Sequence, residues 1–422
     1  MTTENIARTP DTAPVVEAPE RRNAVLDYAA NYWRKVAGGD MGALPAVGGL
    51  IVLCTFFAIA RPSFLTPINI ANLLQQSAPM IAIGMGLVFV LLLGEIDLSA
   101  GFTSGVCAAV LAILLTNEGW PWYAGVGIAI VVGVAIGLLL GFLVAKVRIP
   151  SFVVTLAAFL AFQGVVLKLL KEGTNISIRD SQSVIISIEN GYLSPLLGWA
   201  FAALVVAVFA AVELVKVYKR RSRGLPHAPF AVVALKIVGL AALLAVFVTI
   251  LNEERSRNPL LFGSNKGMPI VVVIIAVLLV LWTLILRRTP FGRHIYAVGG
   301  NVEAARRAGI RVDRIRISAF VICSSMAAIG GIIAASQARS VDPNTGGSNV
   351  LLYAVGAAVI GGTSLFGGRG RVVDPVLGGT VVAVIVNGLG LMGQQSWVKY
   401  VFTGSVLLLA AGVDALLRKR TN

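Results

Sequence analysis

Long apolar runs separated by short polar or basic segments recur along almost the whole chain. A helix needs roughly 20 apolar residues to cross the hydrocarbon of a bilayer. By that measure the sequence predicts twelve runs, at approximately 44–60, 77–93, 98–116, 122–145, 151–170, 195–215, 229–251, 268–286, 316–336, 349–364, 376–392 and 398–416. Glycines punctuate the runs around 77–116 and 349–392, so broken helices are expected near 94–98 and 361–375. The predicted fold is an all-α polytopic membrane protein with about twelve spans (ten to twelve).

The transmembrane domain is expected over 43–416, with tails at 1–42 and 417–422. No signal-peptide pattern opens the first tail. Its mixture of Pro, Glu, Asp and Arg suits a disordered segment. Within it, Leu26, Ala30, Trp33 and Val36 keep helical spacing, with Arg34 and Lys35 alongside. An interfacial helix and a frayed tail fit that pattern equally well.

Composition agrees with the run pattern. The chain is 57% hydrophobic and 13% charged, with a mean hydropathy of +0.85, far from the usual soluble balance. Cys54, Cys107 and Cys323 all fall inside apolar runs without metal-ligand spacing and read as small core residues. His227 and His294 lie in basic loops. The net charge of +15 does not imply nucleic acid, because the basic residues cluster beside the ends of apolar runs.

Those clusters set direction. Taking both tails and every second connection as cytosolic collects about 25 of the 35 Lys and Arg, which places both termini in the cytoplasm. The cytosolic set includes Lys146, Arg148, "KVYKRRSRG" (216–224), the Arg-rich loop 287–316 and "GGRGR" (367–371). Within the long loop, "GGNVEAARRAGI" (299–310) predicts a short helix. Asn301 is a suitable N-cap and Gly309 a suitable terminator, with Glu303 in the first turn and Arg306 and Arg307 in the last.

Catalytic chemistry finds no footing. No G-x-x-x-x-G-K-[ST] cradle for nucleotide phosphates occurs, and "GGRGRVVDP" (367–375) reads as a cytosolic turn. Nucleophile, base and metal constellations are missing as well. The chain is expected not to be an enzyme and to bind no metal or cofactor.

Polar side chains within the apolar runs are more informative. "LLLGEIDLSAGFTSG" (91–105) puts Glu95 and Asp97 at a break, where two charges facing lipid would be poorly tolerated. Asp97 and Ser99 either cap the following helix or line a pathway. Gly94-x-x-Asp97-Leu98-x-x-Gly101 aligns with Gly361-x-x-Ser364-Leu365-x-x-Gly368, a short match of the kind that paired breaks in repeat-built transporters show. Asn72, Gln75, Gln76, Gln163, Thr363, Asn387, Gln394 and Gln395 add amides and a hydroxyl, which suit neutral polyols or helix–helix hydrogen bonds. They look scattered, with no concentrated polar cluster. Glu95, Asp97, Ser99, Gln75, Gln163, Thr363, Ser364 and Asn387 are the candidates for a pathway or gate.

Four stretches resemble the permease subunits of sugar ATP-binding-cassette importers, in the ribose/xylose branch. They are "TPFGRHIYAVGGNVEAARRAGIRVDRIRI" (289–317), "AVIGGTSLFGGRGRV" (358–372), "PSFVVTLAAFLAFQGV" (150–165) and "GEIDLSAG" (94–101). Glu95, where the ribose type has Gly, and the extra hydrophobic pair around 195–286 look like the xylose type.

The resemblance implies that Asn301, Glu303, Ala304, Ala305, Arg306 and Gly309 form a coupling helix docking on a separate ATPase subunit, with the small alanines allowing close approach. It further implies ATP and Mg on that partner, an extracytoplasmic sugar-binding protein, a second copy of this chain, and the plasma membrane of a bacterium. The rival readings are a proton-coupled transporter using Glu95 or Asp97, and an importer of another cargo such as a nucleoside or autoinducer.

Overall fold

The computed structural model describes residues 44–171, 174–178, 183–225, 227–256, 258–259 and 264–419. The expected tail over 1–42 with its interfacial helix, and residues 420–422 of the second tail, lie outside these. The helices run α1 (Leu44–Ala60), α2 (Pro67–Leu92), α3 (Ala100–Ala112), α4 (Trp122–Phe142), α5 (Ser151–Leu169), α6 (Ser183–Asn190), α7 (Pro195–Arg221) and α8 (Phe230–Leu251). After these come α9 (Ile270–Arg288), α10 (Pro290–Gly300), α11 (Val302–Arg307), α12 (Val312–Ala338), α13 (Ser348–Ile360), α14 (Asp374–Leu391) and α15 (Ser396–Lys419).

Among the described residues, nine helices are long and apolar enough to cross a membrane. Leu44–Ala60, Asn349–Ile360 and Ser396–Leu409 are shorter apolar helices. The chain is an all-α polytopic membrane protein. The only strands among the described residues are β1 (Ile176–Ser177) and β2 (Ser340–Val341), which pair antiparallel.

Two boundaries differ from the hydropathy reading. α2 starts at Pro67 rather than near 77, because Asn69, Gln75 and their polar neighbours stay helical once other helices give them partners. α12 starts at Val312 rather than 316, with Asp313 in a first turn that the helix dipole favours.

α2 and α12 form the centre. In their most apolar windows 78% and 61% of residues are buried, against 11% for α7 and α8, which expose Leu196, Leu235 and Leu243 as a lipid-facing surface would. The α4–α12 contact rests on Gly133, Gly137 and Gly141, four residues apart on one face. A Cβ on Gly137 would lie 2.5 Å from the Val321 Cα, so only glycine lets the backbones approach this closely.

At one end of the bundle lie the breaks 93–99 and 361–373 together with the basic connection 289–311. The salt bridge between Lys146 and Asp313, at 2.9 Å, lies at the same end. The other end carries the β1–β2 pair, α6 and the outer turns of α2 and α14.

Candidate functional site

The connection between α9 and α12 folds as two short helices. Thr289 caps α10, its Oγ1 accepting the Gly292 N–H, with Pro290 in the first turn. Asn301 caps α11, its Oδ1 accepting the Ala304 N–H at 2.9 Å. Gly309, at φ +81°, ends it. The N–H groups of Gly309 and Ile310 return to the carbonyls of Arg306 and Ala305, the bond pair of a Schellman motif. Glu303 and Arg306 pair at 2.6 Å and are both exposed. The alanines part company: Ala304 is exposed, whereas Ala305 is buried in the chain's own core. Glu303, Ala304, Arg306 and Gly309 therefore make up the outward surface.

Both flanks of α11 are tied to the broken segments. Just ahead of it, Gly299 lies against the end of α2, and a Cβ there would sit 1.8 Å from the Leu92 carbonyl oxygen and 2.9 Å from the Gly368 nitrogen. The Gly368 N–H donates to that same Leu92 carbonyl at 2.9 Å. Tyr296 donates its hydroxyl to the Gly370 carbonyl at 2.7 Å. In the second turn of α12, which follows α11, Arg316 pairs with Glu95 at 3.0 Å, and both side chains are largely buried. A displacement of α11 thus bears on two breaks at once, through backbone contact on one flank and an ion pair on the other.

Inside the first break, Asp97 is fully buried, and its Oδ1 accepts the Ser99 N–H at 2.9 Å and the Ser99 hydroxyl at 2.6 Å. This is a local turn ahead of α3 and not a side-chain cap on it, and the buried Asp97 Oδ2 has no partner among the described residues. Ile96 is held by α5, with its N–H donating to the Ser151 hydroxyl and its carbonyl accepting from Thr155. In the second break, Asp374 accepts from Thr363, from the Arg371 N–H and from the Arg371 guanidinium. The Ser364 hydroxyl accepts the Phe366 N–H.

Gln75 and Asn387 lie elsewhere, towards the opposite end of the bundle, where α6 packs. Asn387 and Asn69 exchange amide hydrogen bonds at 2.9 and 3.0 Å, and Asn387 also reaches Gln76 at 3.5 Å. Gln75 donates to the Glu189 carbonyl at 2.5 Å. Beside them a cavity of about 160 Å³ is walled by Asn72, Gln75, Gln76, Glu189, Asn190 and Gln337. The expectation of scattered polar groups is therefore corrected: α2, α6, α12 and α14 converge and gather side chains far apart in sequence. Gln163 is exposed on α5 and joins neither group.

Several of these residues escaped the sequence reading. Arg316 had counted only as an orienting charge. Asp374 stood in an Asp-Pro helix start, a recognisable first-turn signal. Glu189 carried no signal, since an acid between apolar runs reads as solvated. Among the described residues, no cluster of His, Cys, Asp and Glu could hold a metal ion.

Comparison with known proteins agrees with this architecture. The chain is 34% identical over 381 residues to the xylose transport system permease protein of Escherichia coli, covering 89% of this chain and 92% of that one. It is equally similar to the protein of that name from Haemophilus influenzae, over 88% and 95% of the two chains. It is 29% identical to the ribose import permease protein of Bacillus subtilis, over 89% and 94%. No solved structure matches it. The model of the branched-chain amino acid transport system / permease component family matches residues 69–411, and the chain belongs to that family.

Proposed function

We propose that this chain is the membrane-spanning permease subunit of an ATP-driven importer for a monosaccharide, with xylose or a related sugar as cargo. Residues 301–309 take up the stroke of a separate ATPase subunit, which binds the ATP and Mg. The observation that carries this reading is the attachment of the segment before α11 to both breaks, through Gly299 and Tyr296, and of the start of α12 to the first break, through Arg316. The likeness to the xylose and ribose permeases supports the cargo class.

In this reading the twelve apolar helices are twelve spans and both termini are cytoplasmic, in the plasma membrane of a bacterium. A second copy completes the pathway, and an extracytoplasmic binding protein delivers the sugar to the end bearing Asn69 and Gln75. A proton-coupled cycle is less well supported, because Glu95 is paired with Arg316 and the likeness is to permease proteins of sugar transport systems. Asp97→Asn is expected to impair transport more than membrane insertion; equal loss of both would support a capping role instead.

The test is uptake into proteoliposomes holding the chain with its ATPase and binding protein, across labelled D-xylose, D-ribose, D-galactose and L-leucine. ATP-dependent entry of a sugar, indifferent to a protonophore, is the expected result. Uptake without the ATPase, uptake abolished by the protonophore, or entry of leucine alone overturns it.

A further inference from the structure

We propose that the cavity walled by Asn72, Gln75, Gln76, Glu189, Asn190 and Gln337 is a binding site for one neutral monosaccharide at the outer mouth of the chain. This rests on the reading above and deepens it, since delivery by a binding protein does not by itself require a site in the permease.

Chemistry selects the ligand class. Five of the six wall residues are amides, which offer both donors and acceptors, as sugar hydroxyls do. None is Lys or Arg, so nothing in the wall favours an anion. The volume, about 160 Å³, is close to the roughly 150 Å³ that accommodates benzene, so the cleft takes one ring, with some of its hydroxyls projecting through the open side. Asn72 and Gln76, one turn apart on α2, are exposed. Two amides on one exposed helical face suit a wet vestibule and not lipid.

The far wall is held in place before any ligand arrives. The Glu189 N–H donates to the Ser336 hydroxyl at 3.0 Å, and its carbonyl accepts from Gln75. Asn190 donates to the Ser336 carbonyl at 2.7 Å. A wall fixed in this way loses little freedom on binding. The Glu189 carboxyl is buried, and neither of its oxygens has a partner among the described residues. Leaving it so is costly, and sugar hydroxyls would supply the missing bonds after a small side-chain shift that brings the carboxyl to the cleft surface. Burial also pushes this carboxyl up to about 9, so it is protonated at neutral pH and both donates and accepts.

Saturation-transfer NMR on the full chain in nanodiscs tests the site, with D-xylose and D-ribose as probes and L-leucine as the zwitterionic comparison. The wild type is expected to transfer saturation to a sugar and not to leucine. In Asn72→Leu/Gln76→Leu affinity should fall about tenfold through two lost hydrogen bonds, whereas Asn349→Leu, at an exposed amide outside the cavity, should behave as wild type. Should the double variant not fold, Asn72→Ala alone, which removes one amide without adding volume or charge, should lower affinity about threefold.

No transfer to either sugar in the wild type, or transfer unchanged in the cavity variants, overturns the site. The proteoliposome assay separates the two claims. ATP-driven sugar entry with an unaffected cavity variant removes the site and leaves the function standing. Absence of any ATP-driven sugar entry removes the function itself.

Discussion

The two ends of α2 are built from different materials. At the end that the proposed topology puts inside, Leu92 and, just past the helix, Glu95 meet the 289–317 segment through bare backbone and one ion pair, with glycines at the points of closest approach. At its outer end, Asn69, Gln75 and Gln76 meet their neighbours through uncharged amides around a small cavity. Backbone packed on backbone has no side chains to rearrange, so it passes displacement on without absorbing it. Amides bind and release a neutral solute with modest energies. The difference matches a division of labour between transmitting force and admitting cargo, and substitutions at the two ends should separate these tasks.

The largest effect is expected for Gly299→Val. Its branched side chain has no room beside the Leu92 carbonyl, and overpacking of this kind costs ~1–3 kcal/mol. ATP-driven uptake should be lost while D-xylose binding in nanodiscs persists. Loss of both would show that the ends are not independent. Arg316→Ala should come next, leaving Glu95 largely buried without its partner. After allowance for the partial exposure of the pair, about 1–2 kcal/mol is expected, read as slower uptake at preserved ATP hydrolysis.

Asn387→Leu attacks the outer end by stranding Asn69, and interhelical bonds in membranes are worth about 1 kcal/mol. It should lower thermal stability slightly and leave coupling between hydrolysis and uptake intact. Glu189→Gln tests the same end through pH. The folded carboxyl is raised from 4.5 to about 9, so the folded state holds a proton that the unfolded state has released, and stability falls as pH climbs through that window. Melting of the wild type in detergent should weaken over that range relative to Glu189→Gln. The smallest effect belongs to Lys146→Ala, whose exposed bridge to Asp313 contributes no more than ~1 kcal/mol. Uptake at wild-type rates is expected.

Much of the inner end could be read from the sequence, because its signals are local. Asn301, Gly309 and the charges between them specify a capped helix within one short segment, and glycine clusters mark both breaks. What α11 is attached to could not be read, since Gly299 contacts Leu92 and Gly368, and Arg316 contacts Glu95, across long separations. Nor could the burial of Ala305, because two adjacent alanines look alike until the helix is set against α12.

The outer cluster was the least legible part. Its amides are spread from Asn69 to Asn387, and those on α2 (Asn69, Asn72, Gln75 and Gln76) lower local hydropathy enough to hide the first turns of that helix. Only the convergence of α2, α6, α12 and α14 turns them into a site.

The central claim is that the stroke taken up by α11 reaches the breaks through its two flanks. It is tested most directly by a charge-exchange cycle on uptake: Glu95→Arg, Arg316→Glu and the two together, in proteoliposomes with the ATPase and binding protein. Each single variant should place like charges at 3.0 Å and lower ATP-driven sugar entry by about tenfold while hydrolysis continues, as a coupling energy of 1–3 kcal/mol implies. The double variant should recover most of the loss. Single variants that transport as wild type, or a double variant no better than either single one, would contradict the account.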